Sequence, residues 1–353
     1  MSELVASDTA ASQRTTLLSL IYGFMPARIV HIAAELGLAD WLADGAKTAA
    51  ALAEATQTDA GSLHRLLRAL ASLGLVDEVA PGRFALTALG AQLCSGAPGS
   101  LRHLAMMFGG ERAWQCWGDL PHCVRTGQSG MQHLFGVGSF EYLAAHPQEA
   151  VTFNKAMADI TRQTSRAVVA AYDFSRFRTI VDVGGGNGTL VAAILAGTPT
   201  LRGVVFDLPS GNAEAPRQLA AAGVAERCRV IAGDFFHSVP SGADAYILKS
   251  VIHDWDDERS VTILRNCRTA IAPGGKLLLV ERVMPERMAA SPSHLRAAML
   301  DLNMLVMPGG RERTAAEYAA LFAAAGLELA RIVPLPEAVG ISLIEASPAA
   351  GGE

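Results

Sequence analysis

Cysteine, charge and long apolar runs are all scarce in this chain. Its 353 residues include five cysteines, an odd number with no C-x-x-C pair. That argues against a disulfide framework or a zinc module and points to reduced, mostly buried thiols in a cytoplasmic protein. Charged residues make up 18% and the net charge is −5, a mild acidity that argues against nucleic acid as the main partner. No apolar run reaches the ~18 residues of a membrane span. Met1-Ser2-Glu3-Leu4 lacks a basic region followed by an apolar core, so no secretory signal is expected. Internal repeats and low-complexity linkers are missing too. What is abundant is hydrophobic residues, at 50%, enough for a well-buried globular chain of two or three domains.

The most informative stretch is Thr179-Ile180-Val181-Asp182-Val183-Gly184-Gly185-Gly186-Asn187-Gly188. An apolar, β-rich run ends in a glycine cluster, and a helical pattern follows from Thr189. Glycines let the backbone approach a ligand and take positive φ, and a helix N-terminus supplies free N–H groups. A dinucleotide site wants G-x-G-x-x-G/A. Here Thr189 stands at the third small position counted from Gly184, and Val191 stands there counted from Gly186. The pyrophosphate fingerprint is broken, and a smaller adenosine cofactor without phosphates fits better.

Further apolar runs end in polar groups. Arg202–Phe206 ends in Asp207, about 20 residues past the glycines, where an acid accepts ribose hydroxyls; the alternative is a loop acid capping the next helix. Cys228–Ala232 ends in Gly233-Asp234-Phe235-Phe236, an acid for an adenine amino group beside a ring for its face. Ala245–Leu248 ends in Lys249-Ser250-Val251-Ile252-His253-Asp254-Trp255. Lys276–Val280 ends in Glu281-Arg282. In open α/β sheets, ligands bind beyond the carboxyl ends of the strands.

The ordered set Asp182-Val183-Gly184-Gly185-Gly186-x-Gly188, Asp207-Leu208-Pro209, Gly233-Asp234-Phe235-Phe236, His253-Asp254-Trp255 and Gly309-Gly310-Arg311-Glu312-Arg313-Thr314 resembles the S-adenosylmethionine-dependent O-methyltransferases. The likeness is to the caffeic-acid/hydroxyneurosporene type, with bacterial tailoring relatives, and covers roughly residues 15–347. It implies an α/β fold: a class I, Rossmann-like methyltransferase sheet behind an N-terminal winged-helix dimerisation domain. It also implies S-adenosyl-L-methionine as cofactor, S-adenosyl-L-homocysteine as product, no metal, and a homodimer. Gly184, Gly186, Asp207, Leu208, Gly233, Asp234, Phe235, Lys249 and Ser250 are then the cofactor positions.

Methyl transfer from a sulfonium needs an aligned, deprotonated acceptor. A phenol with pKa about 10 is a poor nucleophile at neutral pH, and a histidine can take its proton as the new bond forms. Of nine histidines, His253 alone lies at a strand's carboxyl end within a matched motif. Glu281 is placed to hold its tautomer and Glu312 to flank the other side. In the resembled family these three positions are a base and two bracketing acids. The plainer alternatives are a surface histidine, a surface acid between Arg311 and Arg313, or a metal bound by His253-Asp254-Trp255-Asp256-Asp257. The resemblance also places Phe153, Met157, Met299 and Asn303 along an apolar acceptor pocket, although methionines on helices are usually core.

Three segments follow: 1–100, an N-terminal winged-helix-like dimerisation domain; 101–170, a helical connector lining the acceptor pocket; and 171–353, the Rossmann-like catalytic domain. Residues 1–12 read as a loose tail. A helical pattern runs from Thr15 to about Ala43, with a kink or split expected at Pro26. Residues 48–93 pattern as helix-turn-helix followed by a hairpin. That shape raises DNA binding, but three cations (Arg65, Arg68, Arg83) face four acids (Glu54, Asp59, Asp77, Glu78), too few for a duplex reader. Thr314-x-x-Glu317 reads as a capping box.

The leading reading is an O-methyltransferase acting on a hydroxylated aromatic small molecule, with no nucleic acid and no membrane as partner. The alternatives are the same fold methylating nitrogen or using the cofactor without methyl transfer, a ligand-sensing transcription regulator, and an NAD-dependent oxidoreductase.

Overall fold

The computed structural model describes residues 2–349. The chain divides into two compact units, 1–114 and 115–353. The division falls inside the 101–170 segment rather than at its start.

In the first unit, Ser2–Ile21 is a helix. The stretch 2–12 is therefore not a loose tail; Met1 lies outside the described residues. A second helix, Phe24–Glu35, follows, bent by 43° from Ser12–Ile21. The break comes at Tyr22-Gly23, ahead of Pro26. Proline in a helix's first turn costs nothing, because that N–H has no intrahelical partner. Ala49–Thr56 and Ala60–Ser72 form the helix-turn-helix, capped by the side chains of Thr48 and Asp59. Strands β1 (Lys47–Thr48), β2 (Val76–Ala80) and β3 (Arg83–Leu86) pair antiparallel in the order β1-β3-β2, the expected wing. Leu63, Leu67 and Leu70 share one helix face and meet Leu38, Leu42, Leu52, Val76 and Phe84 in a closed core. The helix ends Ser12–Met25 do not join it: Leu20, Ile21 and Phe24 are 67%, 56% and 52% exposed.

The second unit is built on seven strands: β4 (Thr179–Val183), β5 (Arg202–Asp207), β6 (Cys228–Ala232), β7 (Ala245–Lys249), β8 (Lys276–Glu281), β11 (Leu327–Pro334) and β12 (Ser342–Pro348). Their order is β11-β12-β8-β7-β4-β5-β6. β4 to β8 are parallel, and β12 runs antiparallel to both β8 and β11. Sheet residues alternate between two cores. Val181, Tyr246, Leu248, Leu277 and Leu279 face one side, packed against helices Asp257–Ala270 and Ala315–Ala324. Ile180, Val205, Ile247, Leu278 and Val280 face the other, against Thr189–Gly197, Ala215–Ala221 and Pro147–Ala171. Strands buried on both faces read as unbroken apolar runs. β4 pairs with β5 on one side and β7 on the other, so the order reverses there and a crevice opens beyond its carboxyl end.

The capping box at Thr314 and Glu317 forms as expected. A two-residue parallel ladder joins β9 (Val283–Met284) to β10 (Arg313–Thr314), where only irregular chain was expected. It sets Glu312 next to the end of β8. All five cysteines are free thiols. Among the described residues no single helix is long and apolar enough to cross a membrane; Ser12–Ile21 and Phe24–Glu35 meet length and composition only as the bent pair.

Candidate active site

The crevice is lined first by the loop after β4. Gly184, Gly186 and Gly188 all take positive φ (69°, 53° and 77°). A β-carbon at Gly186 would meet open space, while one at Gly184 would press on Val251. Asp207, the last residue of β5, holds this loop: its Oδ2 accepts from the Gly186 N–H at 2.8 Å and its Oδ1 from the Leu208 N–H at 2.7 Å. Burial pushes its carboxyl above the ordinary range, opposed by those two N–H groups. Gly233 N–H donates to Asp207 O, joining the β5 and β6 exits. Asp234 accepts from Phe236 N–H at 2.8 Å and lies 3.0 Å from His237 Nδ1, so its carboxylate is already engaged within its own turn. Phe235 leans toward Gly184. Asp182, buried beneath the loop, has an Oδ2 with no hydrogen-bond partner, and its carboxyl is pushed up to about 7 by burial. Open space at Gly186, an acid bonded to that loop and a buried, unpaired carboxylate oxygen beneath it suit an adenosyl ligand carrying hydroxyls and a cation.

The second group gathers beyond β7 and β8. His253 sits in the 3₁₀ turn Ile252–Asp254. Its Nδ1 is 3.1 Å from Glu312 Oε1 and 3.7 Å from Glu281 Oε2, and its Nε2 is 3.6 Å from Asp254 Oδ1. Glu281 is 1% exposed. Its Oε1 accepts from the N–H groups of Val251 and Ile252 at 2.9 and 2.8 Å. The Glu312 N–H donates to Asp301 Oδ1 at 2.9 Å, and Arg282 Nε stands 3.9 Å from Glu312 Oε1. The structure thus brings His253, Glu281 and Glu312 together, with ligand atoms within 4.8 Å of one another. Lys249 Nζ donates to Ser250 Oγ at 3.1 Å; Ser250 itself has φ 53°.

Burial opposes charge on His253, but Glu281, Asp254 and Glu312 outweigh it and push the imidazole up to about 10. Burial raises Asp254 to about 7, against the pull of His253, and raises Glu281. Burial lowers Lys249, while Glu281, Asp182 and Asp254 pull it back. The three carboxylates around it therefore favour the protonated imidazole.

Aromatic rings continue the crevice. Phe153 meets Phe140 at 6.4 Å, Phe140 stacks on Trp255 at 5.7 Å, and Trp255 meets Phe236 at 4.8 Å. Phe140 and Trp255 were not singled out from sequence as site residues; an aromatic on a short helix and another after His253 carry no spacing signal of their own. Asn303 is buried, and its Oδ1 accepts from Trp117 Nε1 at 3.2 Å. Indole only donates, so the amide oxygen must face it. Met157 is half-buried and Met299 is 43% exposed; neither shares a ring contact with this wall.

A doubly covered, mainly parallel sheet with an antiparallel last strand, a glycine loop after β4 and an acid ending β5 defines a class I methyltransferase. Residues 117–328 match the O-methyltransferase domain model and residues 18–96 the O-methyltransferase dimerisation domain model. The chain is 46% identical over 332 residues to the phenazine O-methyltransferase PhzM of Lysobacter antibioticus, covering 94% of this chain and 95% of that one. It superposes on the mitomycin 7-O-methyltransferase MmcR with TM-score 0.90 at 38% identity, covering 97% and 100%. It also superposes on NcsB1, an O-methyltransferase from neocarzinostatin biosynthesis solved with S-adenosylmethionine and 2-hydroxy-5-methyl naphthoic acid, with TM-score 0.80 at 34% identity, covering 92% and 96%. The chain belongs to the S-adenosylmethionine-dependent O-methyltransferase family.

Glu312→Gln removes one of the three carboxylates that hold the imidazolium. The His253 titration should then move to lower pH, as followed by NMR of histidine-labelled protein. An unmoved midpoint would contradict this electrostatic account.

Proposed function

We propose that this enzyme methylates a hydroxyl of an aromatic small molecule in secondary metabolism, with His253 as general base. The observation that carries the reading is the imidazole set between Glu281 and Glu312, its Nδ1 within 3.1 Å of Glu312. Nδ1 is committed to the carboxylates, which leaves Nε2 for the acceptor's proton. The cofactor supplies an electrophilic methyl group on a cationic sulfur, whose charge opposes the imidazolium and favours the neutral base. Gly184, Gly186, Asp207, Leu208, Gly233, Asp234, Phe235, Lys249 and Ser250 line its site. Phe153, Met157, Met299 and Asn303 serve the acceptor, and the N–H₂ end of Asn303 is its donor.

A metal reading of the same three residues is weaker on one ground: the imidazole Nδ1 is already paired with Glu312 Oε1 at 3.1 Å, while Oε2 of Glu281 and of Glu312 stay unpaired. Nitrogen methylation or a non-methylating use of the cofactor would leave the paired acids behind His253 without a task.

The reading includes a cytoplasmic homodimer that binds neither nucleic acid nor membrane. A row of exposed apolar residues, Leu17, Leu20, Ile21, Tyr22, Phe24 and Met25, is more than a lone soluble chain usually leaves to water. Sedimentation should give a dimer of 37.0 kDa chains, and a monomer at micromolar concentration would refute it.

His253→Ala should lower turnover 10²- to 10⁴-fold, the usual worth of a general base, with the S-adenosylmethionine affinity nearly intact. Transfer of labelled methyl to hydroxynaphthoate and hydroxyphenazine acceptors is the assay; an undiminished rate would sink the base assignment.

Asp207→Ala should weaken S-adenosylmethionine binding at least tenfold in calorimetry. Equal affinity in mutant and parent would remove Asp207 from the cofactor site, and binding of NAD in its place would remove the cofactor.

A further inference from the structure

Arg313 is the largest fully buried side chain described, at 0% exposure. A guanidinium stays charged at any working pH, so burying one is costly unless every N–H finds a partner. Its partners are specific. Nη1 donates to Ile252 O at 3.0 Å and Nη2 to Trp255 O at 2.8 Å. Nε and Nη2 reach Asp257 Oδ1 at 3.0 and 2.7 Å, and Nη2 lies 3.4 Å from Ser260 Oγ.

The two carbonyls bracket His253, one on each side of it in the chain. The carbonyl of His253 itself accepts from Arg311 N–H at 2.8 Å. At Gly310 a β-carbon would collide with that carbonyl and with the Asp254 backbone, so only glycine lets the loop come this close. Glu281 holds the same turn from the other side through Val251 and Ile252. Beyond the turn's own bonds from Asp254 N–H to Val251 O and from Trp255 N–H to Ile252 O, the groups described as holding its backbone are Glu281, residues 310–313 and Ser260.

We propose that Arg313 is the positioning residue of the base: it clamps the Ile252–Trp255 turn so that the imidazole of His253 stays against Glu281 and Glu312. The proposal rests on the reading of His253 as base. The planar fork is essential, since it spans two carbonyls and a carboxylate at once; lysine offers a single point charge and cannot. The ladder between β9 and β10 completes the device, carrying Arg313 and Glu312 as neighbours, so one short segment delivers both the acid and the clamp.

The test is the His253 titration in full-length protein loaded with S-adenosylhomocysteine, read by ¹⁵N NMR of labelled histidine, with His253→Gln identifying the resonance. The groups facing His253 are Glu281 from β8, Glu312 from the loop before β10 and Asp254 from its own turn. Lys249 from β7 lies against those acids, and Arg282 lies behind Glu312. Arg313→Met and Arg313→Lys should both let the imidazole swing from its acids, lowering its titration midpoint by a unit or more, a tenfold change in deprotonation. Methyl transfer to the hydroxynaphthoate probe should fall 10- to 100-fold in kcat, with acceptor KM and S-adenosylhomocysteine affinity within about twofold.

A purely structural role would lower the unfolding temperature without moving the titration. Folded Arg313 variants that titrate and turn over like the parent overturn the proposal. Should they fail to fold, Asp257→Asn loosens the guanidinium more gently: a downward shift supports the clamp, and an unmoved midpoint overturns it. Full activity in His253→Gln would instead overturn the base reading, and loss there beside intact Arg313 variants would overturn the positioning role alone.

Discussion

A carboxylate kept out of water organises the reactive end of the sheet. Glu281 closes β8, yet its side chain serves the exit of β7: one oxygen takes the N–H groups of Val251 and Ile252, two and three residues past that strand. The other oxygen has no hydrogen bond and faces His253 Nδ1 at 3.7 Å. A half-satisfied buried carboxylate costs several kcal/mol unless a cation stands beside it. The imidazolium of His253 is that cation. Backbone geometry and protonation are therefore one problem, because the turn that carries His253 is held by an acid that favours its proton.

The other side of the crevice works by a similar economy. Asp207 shapes the glycine loop with its carboxylate, one oxygen on Gly186 and one on Leu208. Each oxygen keeps a second lone pair for a hydroxyl. Positive φ at three alternate glycines turns the chain away from the site, and the missing side chain at Gly186 leaves room for what binds.

Much of this was legible in the sequence, for identifiable reasons. β4 to β8 announce themselves because strands covered on both faces need unbroken apolar runs. His253, Glu281 and Asp207 fall at strand ends, where a parallel sheet must place its chemistry. The β9–β10 ladder was not legible, since two residues carry no period. Arg313 looked like any charged residue in a loop, and only the fold shows that its guanidinium is buried. Phe140 carries no spacing signal, and the bond from Trp117 to Asn303 joins positions too far apart in the chain for spacing to reveal. The helix over residues 2–12 was missed because small polar residues give no apolar stripe. The break was placed at Pro26 although proline is harmless in a first turn, and it falls at Gly23 instead.

Charge balance gives a second argument for the cofactor, independent of glycine spacing. Asp182, Asp254, Glu281 and Glu312 cluster around two cations, Lys249 and His253, with Arg282 outside against Glu312. Burial raises Asp182 and Asp254 to about 7, and neighbouring acids add to it, Asp207 beside the first and Glu281 and Glu312 beside the second. Such a site gains by admitting a cation, and it resists the two negative charges of a pyrophosphate. A broken dinucleotide fingerprint says only that the loop is the wrong shape for NAD. The acids beneath it say that the field has the wrong sign as well, and that a ligand's positive charge would be favoured beside them.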